Sequence, residues 1–163
     1  MLILNLVGHM LKKDIKWMQW CVDGAGIFST CSKKQYMAIL VDKHGIINAT
    51  GYNGTPSGFP HCDEGGCPRA INNVPSGTPY DYGEGLCYSN HAEQNCLSVS
   101  DPYKRQGGTL YVNGWPCFNC AKLIVNSGCA RIVYLKEDFM RLGEDVTLEL
   151  FNQANIDVLG VSL

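Results

Sequence analysis

Two short strings hold the residues with the clearest capacity for chemistry, His91-Ala92-Glu93 and Pro116-Cys117-Phe118-Asn119-Cys120. One imidazole and two thiols are ligands that zinc prefers, and three protein ligands leave the fourth position of a tetrahedral ion open to water. Zinc lowers the pKa of such a water towards neutrality and makes it a nucleophile. Glu93 is the only acidic residue in either string, and we predict that it transfers protons as general acid and base.

The two strings together are far more specific than either one alone. A lone Cys-x-x-Cys also occurs in redox sites and in structural zinc sites. His-x-Glu combined with Pro-Cys-x-x-Cys has the spacing of zinc-dependent nucleobase deaminases, in which the attacked atom is the amino-bearing carbon of a base. Pro116 also precedes a predicted helix, whose positive end favours the thiolate forms of Cys117 and Cys120.

Composition restricts the size of the protein and the class of its substrate. The 163 residues predict one compact domain over 1–163, with 1–13 as an N-terminal extension and Met10 as an alternative start. The net charge of −2 offers no basic field for a polynucleotide, so we expect a small substrate and no nucleic-acid partner. The apolar opening is too short to span a bilayer, and no membrane partner is expected.

The cysteine content indicates a reducing compartment. Nine cysteines is an odd number, and pairs such as Cys117 and Cys120 suit a metal better than a disulfide framework. We therefore expect a cytoplasmic protein. Cys21, Cys96 and Cys129 fall at apolar helical or strand-edge positions and are predicted to be packing residues.

The elements that must position these residues alternate along the chain. Periodicity and turn residues predict helices over 14–28, 91–99, 117–127 and 144–154, and strands over 36–41, 46–52, 109–113, 131–135 and 156–160. This order predicts an α/β fold, in which a hairpin and right-handed crossovers build a sheet with helices on both faces. Both metal strings then begin helices that meet at one edge of the sheet.

A long Gly- and Pro-rich stretch over 53–90 interrupts this alternation. Loops of that length in a compact domain are usually functional or disordered, and the three cysteines of this one favour order. Its part over 68–86 matches no motif, and we expect it to form a lid or a subunit contact.

Further motifs lie outside the two zinc strings: Ser29-Thr30-Cys31, Gly51-Tyr52-Asn53-Gly54-Thr55-Pro56-Ser57-Gly58, His61-Cys62-Asp63 and Gly66-Cys67. With the zinc strings, they make the chain from about Trp17 to Gly160 resemble the bacterial and phage deoxycytidylate (dCMP) deaminases of the cytidine deaminase superfamily. The resemblance implies a three-layer α/β/α fold with a five-stranded mixed sheet. It also implies zinc-dependent hydrolysis of dCMP to dUMP and ammonia, for thymidylate synthesis in the cytoplasm of a cell or of a phage-infected host.

The resemblance assigns roles to single residues. By position, His91, Cys117 and Cys120 would hold the catalytic zinc and Glu93 would transfer protons, in agreement with the spacing. Substrate contacts are implied for Asn53 with a sugar hydroxyl, the Ala92 amide with the pyrimidine carbonyl, Lys33 with the 5′-phosphate, and Tyr134 with the base. Taken without the resemblance, Asn53 is a turn residue, Lys33 a solvated side chain and Tyr134 a core residue.

Four further cysteines, Cys31, Cys62, Cys67 and Cys87, fall before and around the long loop. In relatives this region carries a second, structural zinc, so the resemblance implies these residues as its ligands, with His61 as a substitute. A closed tetrahedral site would explain how an irregular loop stays ordered. Free buried thiols are the alternative.

The glycine-rich loop over 51–58 implies regulation by nucleotides. In many relatives the residues corresponding to Gly51, Tyr52, Asn53 and Gly54 contribute to an allosteric site, which binds dCTP with Mg²⁺ as activator and dTTP as inhibitor. The family is commonly a homohexamer, so a homo-oligomer is expected here. The chain departs from the family at Met37, where glycine is usual, and the added bulk is expected near the sugar pocket or a subunit contact.

Three alternatives to a dCMP deaminase stay open at this point. The first is a bifunctional deaminase that acts on dCMP and dCTP. The second is a deaminase that edits tRNA or another nucleic acid, against which the acidic charge balance and the glycine-rich loop count. The third is a non-catalytic zinc module, which would have no need of Glu93.

Overall fold

The computed structural model describes residues 2–75, 77–80, 82–138 and 144–163. Strands are β1 (Met37–Val41), β2 (Ile47–Tyr52), β3 (Thr109–Val112), β4 (Arg131–Leu135) and β5 (Asp157–Val161). Helices are α1 (Leu2–Phe28), α2 (Pro68–Ile71), α3 (Ala92–Val99), α4 (Phe118–Ser127) and α5 (Glu144–Gln153). Single 3₁₀ turns are formed by Cys62–Glu64, Gly83–Gly85 and Lys136–Asp138. The predicted strands and the three predicted helices after the long loop agree closely with these bounds.

The strands form one mixed sheet in the order β2-β1-β3-β4-β5. Strand β1 pairs antiparallel with both β2 and β3, whereas β3, β4 and β5 are parallel to one another. The β1–β2 hairpin turns at Gly45, whose φ of +84° is a conformation that glycine adopts without steric cost. Helices α4 and α5 connect the parallel strands, because parallel neighbours need a long crossover. The predicted hairpin and helical crossovers are thus confirmed.

Alternate residues of each strand face different helical layers, as the twofold repeat of a strand requires. One core contains residues of the sheet, α3, α4 and α5, including Leu40, Leu110, Cys96, Cys129 and Phe151. The other core lies between the sheet and α1 and includes Ile39, Tyr111, Val133, Met18 and Cys21. The predicted three-layer α/β/α architecture is confirmed. So is the packing role of Cys21, Cys96 and Cys129, each at most 4% exposed.

Helix α1 is longer than predicted, because it begins at Leu2 and not near Asp14. The segment expected as an extension is therefore helical over its described residues. Its Leu, Met and Lys residues are good helix formers, a signal that the apolar periodicity did not capture. Although α1 has 27 residues, no helix in the described part of the chain combines the length and apolar character needed to cross a membrane.

An ionic network around the buried Asp14 fixes α1 to the sheet. Asp14 is 3% exposed and accepts a hydrogen bond of 2.8 Å from the Tyr111 hydroxyl of β3. Both terminal nitrogens of the Arg131 guanidinium of β4 donate to the Asp14 carboxylate at 2.9 Å, and Arg131 Nε donates to Asp157 of β5 at 2.9 Å. A buried carboxylate is tolerated only with such partners, so this network specifies where α1 crosses the sheet.

Met37 lies on the α1 side of the sheet. It is 3% exposed and packs in the core formed with Met18, Cys21 and Ala25. Space for its thioether exists because position 24 is glycine, where a Cβ atom would collide with the Met37 sulfur. The bulk of Met37 therefore lies in the core between the sheet and α1, and the side chain points away from the face that carries α3 and α4. Its expected effect near the sugar pocket or a subunit contact stays a prediction.

Strand β2 and helix α3 approach each other unusually closely at Gly51. A Cβ atom there would collide with the Cys96 amide nitrogen and lie 2.6 Å from the Ala92 carbonyl oxygen. The Asn95 side-chain amide also donates to the Tyr52 carbonyl at 2.7 Å. The position of α3 on the sheet therefore depends on the absence of a side chain at Gly51.

We expect Gly51→Ala to lower the free energy of unfolding by about 2–3 kcal/mol, because the added methyl group forces α3 away from β2. Gly26→Ala is the matched control, since a Cβ atom at that exposed position of α1 meets nothing within 4 Å. The control should be neutral or stabilising by up to about 1 kcal/mol. Urea unfolding followed by circular dichroism measures both, and equal effects of the two variants would contradict the close contact.

Candidate active site

His91 stands directly before the first turn of α3. Its backbone is extended (φ −76°, ψ 155°), so it is the N-cap residue. Its amide donates a hydrogen bond of 2.8 Å to the Gln94 side chain, a capping interaction that fixes where the helix begins. Ala92 and Glu93 then form the first turn, and both are buried.

The two cysteines belong to the beginning of α4. Cys117 is the N-cap residue (φ −68°, ψ 161°), and Cys120 lies one turn later with no exposed surface. Pro116 precedes the helix, and Gly128 ends it with a φ of +83°, as the sequence predicts. Both sulfurs therefore belong to the beginning of a helix whose start and end are both fixed.

The structure brings these two helix beginnings together. His91 Nδ1 lies 3.5 Å from Cys117 Sγ and 3.5 Å from Cys120 Sγ. Within the described ranges, no other group of three His, Cys, Asp or Glu residues has its ligand atoms all within 4.8 Å of one another. A tetrahedral zinc with ordinary Zn–N and Zn–S bond lengths separates nitrogen from sulfur by about 3.5 Å. The donor set and its spacing thus fit zinc, as predicted.

A hydrogen bond joins the Cys117 and Cys120 thiols and shifts their pKa values in opposite directions. This bond lowers the pKa of Cys117 to about 4, with a further contribution from His91 and against the effect of burial. The same bond raises the pKa of Cys120, and burial raises it further. The geometry therefore favours the thiolate form of Cys117 over that of Cys120. A cation that replaces the shared proton would take up both sulfurs.

Glu93 lies beside the triad in a dry environment. Its side chain is 5% exposed, and burial raises the pKa of its carboxyl group, although the neighbouring His91 and the Cys120 thiol act in the opposite direction. A raised pKa brings a carboxyl group towards the range where it both accepts and donates protons at neutral pH. Its location agrees with the predicted role as proton carrier.

Asn53 is buried and its side chain holds a neighbouring segment. Its Oδ1 accepts hydrogen bonds from the Ser29 hydroxyl and, at 2.8 Å, from the Tyr36 amide. Its Nδ2 donates to the Lys34 carbonyl at 2.7 Å. Asn53 therefore fastens the segment over 29–36 to the end of β2. Its predicted contact with a sugar hydroxyl stays a prediction.

The remaining residues predicted to bind substrate lie in different surroundings. Ala92 is fully buried at the start of α3, whereas Lys33 is exposed and donates a hydrogen bond of 2.6 Å to the Asn73 side chain. Tyr134 packs edge-to-face against Trp115, with ring centroids 4.7 Å apart, and Trp115 comes two residues before Cys117. Tyr134 thus supports the connection that leads to the metal ligands.

An open cavity of about 290 Å³ lies at the end of the sheet to which β3 and β4 lead. Its lining comprises Lys34, Gln35, Tyr36, Asn113, Leu135 and Glu137. The metal triad is not part of this lining, so we assign the chemistry to the triad and not to the cavity.

Of the four cysteines of the predicted second site, Cys67 and Cys87 have their sulfurs within contact distance, and the second zinc stays a prediction. Cys67 Sγ and Cys87 Sγ are 3.8 Å apart. Burial raises the pKa of Cys62 to about 12, and the thiols of Cys31 and Cys67 are close enough to raise it further. His61, the predicted substitute, is exposed and precedes the 3₁₀ turn over 62–64.

A family model described as the cytidine and deoxycytidylate deaminase zinc-binding region matches residues 11–136. The chain belongs to this family. The deoxycytidylate deaminase of Mycobacterium phage D29 is 40% identical over 110 residues, which are 67% of this chain and 84% of that protein. The deoxycytidylate deaminase of Schizosaccharomyces pombe is 38% identical over 108 residues, which are 65% of this chain but only 32% of that protein.

A solved deaminase structure has the same fold. The dCMP deaminase of cyanophage S-TIM5, in complex with dCMP and dUMP, superimposes with a TM-score of 0.63. The match covers 92% of this chain and 97% of that one, at 23% identity. This similarity supports the cytidine deaminase-like arrangement of sheet and helices.

One contact of the candidate metal site was not predicted from the sequence. The Tyr80 ring lies edge-on to the His91 ring, with centroids 6.3 Å apart and an interplanar angle of 83°. Tyr80 belongs to the segment over 68–86, which matches no motif of the family. Nothing in the sequence therefore indicated that Tyr80 contacts His91. Arg69, which lies under the Tyr80 ring, was likewise not singled out.

In this deaminase we expect Cys117→Ala to reduce bound zinc by one ion per chain, because two remaining ligands hold the ion weakly. Cys129→Ala is the control, since it removes a thiol that is buried in the core (4% exposed) and is not one of the three proposed ligands. Elemental analysis of the purified proteins measures the zinc. Equal zinc in both variants would show that Cys117 is not a ligand.

Proposed function

We propose that the chain catalyses the hydrolytic deamination of dCMP to dUMP and ammonia, and thereby supplies dUMP for thymidylate synthesis. The observation that carries this proposal is the approach of His91, Cys117 and Cys120 to zinc-ligand distances, with the buried Glu93 beside them. A structural zinc site has no need of a buried acid, whereas hydrolysis needs a group that moves protons.

The residues of the chain divide the reaction between them. His91, Cys117 and Cys120 would hold a zinc ion, which would act as a Lewis acid and make a water molecule more acidic. Glu93 would accept one proton from the attacking water and pass it to the ring nitrogen of the base. It would then accept the second proton from the newly bound hydroxyl group and pass it to the leaving amino group. One carbon–oxygen bond forms and one carbon–nitrogen bond breaks, so water and dCMP become dUMP and ammonia without any redox partner.

Support for a mononucleotide comes from the relatives and from the charge of the chain. The phage D29 protein that is 40% identical is named a deoxycytidylate deaminase. The chain has a net charge of −2, which disfavours a polynucleotide. Lys33 is our candidate for the 5′-phosphate, Asn53 for the sugar hydroxyl, the Ala92 amide for the pyrimidine carbonyl and Tyr134 for the base. Activity on dCTP as well as dCMP is the alternative.

A substrate panel tests the proposal. We expect purified zinc-loaded protein to release ammonia from dCMP faster than from deoxycytidine, because a cation such as Lys33 recognises the phosphate. Parallel reactions contain dCTP and single-stranded DNA. Equal rates on dCMP and dCTP would support the bifunctional alternative, and release from DNA alone would overturn the proposal.

Glu93→Gln tests the proton carrier. The amide keeps the size of the side chain but neither accepts nor donates the proton, so we expect kcat to fall at least about 10²-fold. Bound zinc should stay at the wild-type level, since Glu93 is not a ligand. Gln94→Glu serves as a control that changes an adjacent partly buried side chain. Turnover of Glu93→Gln near the wild-type rate would show that another group carries the proton.

We also propose a second, structural zinc held by Cys31, Cys62, Cys67 and Cys87. The 3.8 Å between the Cys67 and Cys87 sulfurs is close to the separation of about 3.8 Å between two sulfurs on a tetrahedral zinc. Backbone amides of Tyr88 and Ala70 donate to the Cys67 sulfur, an arrangement suited to a thiolate ligand. A closed site of this kind would hold the base of the long loop.

Metal content decides between this ion and free thiols. We expect two zinc ions per chain in the wild type and one in Cys67→Ala, which should also unfold at a lower temperature because the loop loses its anchor. Cys21→Ala, at a buried thiol of α1, should keep both ions. One zinc per wild-type chain would eliminate the second site and leave the catalytic assignment unaffected.

Regulation and assembly complete the proposal. The residues Gly51, Tyr52, Asn53 and Gly54 are our candidates for an effector site that takes dCTP with Mg²⁺, or dTTP. We further propose a homo-oligomer, a hexamer by analogy with the family, in the cytoplasm of a cell or of a phage-infected host. The odd number of cysteines and the proposed use of several as zinc ligands suit a reducing compartment.

A further inference from the structure

Arg69 is a buried cation at the base of the segment over 68–86. It is 5% exposed, and its side chain donates to three backbone carbonyls of that segment: Pro79 at 3.2 Å, Gly85 at 2.9 Å and Pro75 at 3.1 Å. Its own amide donates to the Leu86 carbonyl at 3.1 Å. The guanidinium therefore connects both arms of the loop, and its planar fork reaches several acceptors at once.

The same guanidinium fixes the Tyr80 ring. Its central carbon lies 4.4 Å from the ring centroid, within the range of a cation–π interaction. The Tyr80 carbonyl accepts a hydrogen bond of 2.9 Å from the Cys87 amide, so the backbone of Tyr80 is held as well. Although the residue is 51% exposed, its position is thus determined from two sides.

The held ring abuts the metal-binding histidine. The Tyr80 and His91 rings are perpendicular within a few degrees (83°), with centroids 6.3 Å apart, which is an edge-to-face contact. The His91 Nδ1 atom is equidistant from the two cysteine sulfurs at 3.5 Å, and a rotation of the imidazole would lengthen one of these distances. The plane of this ring therefore matters for the metal centre.

We propose that Arg69 and Tyr80 are positioning residues of the metal centre: Arg69 holds the Tyr80 ring, and that ring holds the His91 imidazole in the plane that binds zinc. The segment over 68–86 then acts as a fixed brace, which differs from a mobile lid. Because His91 is taken as a zinc ligand, this inference rests on the proposed function. Neighbouring groups that orient a metal ligand commonly tune metal affinity and activity.

The experiment records the ring resonances of ¹⁵N-histidine-labelled, zinc-loaded protein, which has only four histidines. In Tyr80→Ala the His91 ring resonances should shift, because the neighbouring aromatic ring is lost. Addition of a chelator should release the ion from His91 about two- to tenfold faster than in wild type, the range expected for one aromatic contact. Since release is followed at His91, a second zinc ion does not affect the result.

Tyr82→Ala is the matched control, a tyrosine of the same segment with 70% exposure. It should leave the His91 resonances and the release rate unchanged, and Tyr80→Phe should restore both. Arg69→Lys keeps the charge but loses the fork, so it should move both in the direction of Tyr80→Ala. With dCMP, Tyr80→Ala should lower kcat about two- to tenfold and change KM less.

Unchanged His91 resonances and zinc release in Tyr80→Ala would overturn the proposal, even if the melting temperature falls. If that variant does not fold, Tyr80→Leu replaces it, because leucine keeps apolar bulk without the ring. A wild-type protein that binds zinc but leaves dCMP intact would overturn the proposed function alone, since the histidine spectra still report on the brace.

Discussion

The metal centre depends on one geometric constraint: two helix beginnings must meet so that an imidazole nitrogen and two sulfurs lie about 3.5 Å apart. His91 and Cys117 are 26 positions apart in the chain, so local structure alone does not bring them together. The sheet does so. Helix α3 is seated on β2 where Gly51 leaves no side chain between them, and α4 follows β3, which is separated from β2 only by β1.

The connection from β3 to α4 is braced from the core. Trp115 is 4% exposed and contacts Tyr134 of β4 and Phe151 of α5 edge-to-face, at centroid distances of 4.7 and 6.1 Å. Pro116 then limits the backbone before Cys117. Hydrophobic packing at this point therefore has a chemical consequence, because it determines the direction in which the two sulfurs point. Glu93 is buried as well, and its burial raises the pKa of its carboxyl group.

Much of this arrangement could be predicted from the sequence. Alternating and helical patterns indicated the strands and the helices α3 to α5, because each of these elements buries one face against a neighbour. The clustering of His91, Cys117 and Cys120 was predictable because metal chemistry restricts both residue type and spacing. The early start of α1 was not predictable from periodicity. Nor was the space for the Met37 side chain, which a glycine of another element, Gly24, leaves open.

The conformation of the segment over 68–86 could not be predicted from the sequence. Its order comes from a buried guanidinium that bonds to backbone carbonyls, and carbonyls are present at every residue, so no sequence pattern identifies the acceptors. Gly85 is a position of the segment where a side chain is excluded, since a Cβ atom there would collide with the Pro79 carbonyl and crowd the Arg69 side chain. The sheet accounts for the approach of the two helix beginnings. The surroundings of His91 come from a loop whose conformation is set by one cation, so sequence changes in this loop alter the metal centre without altering any ligand.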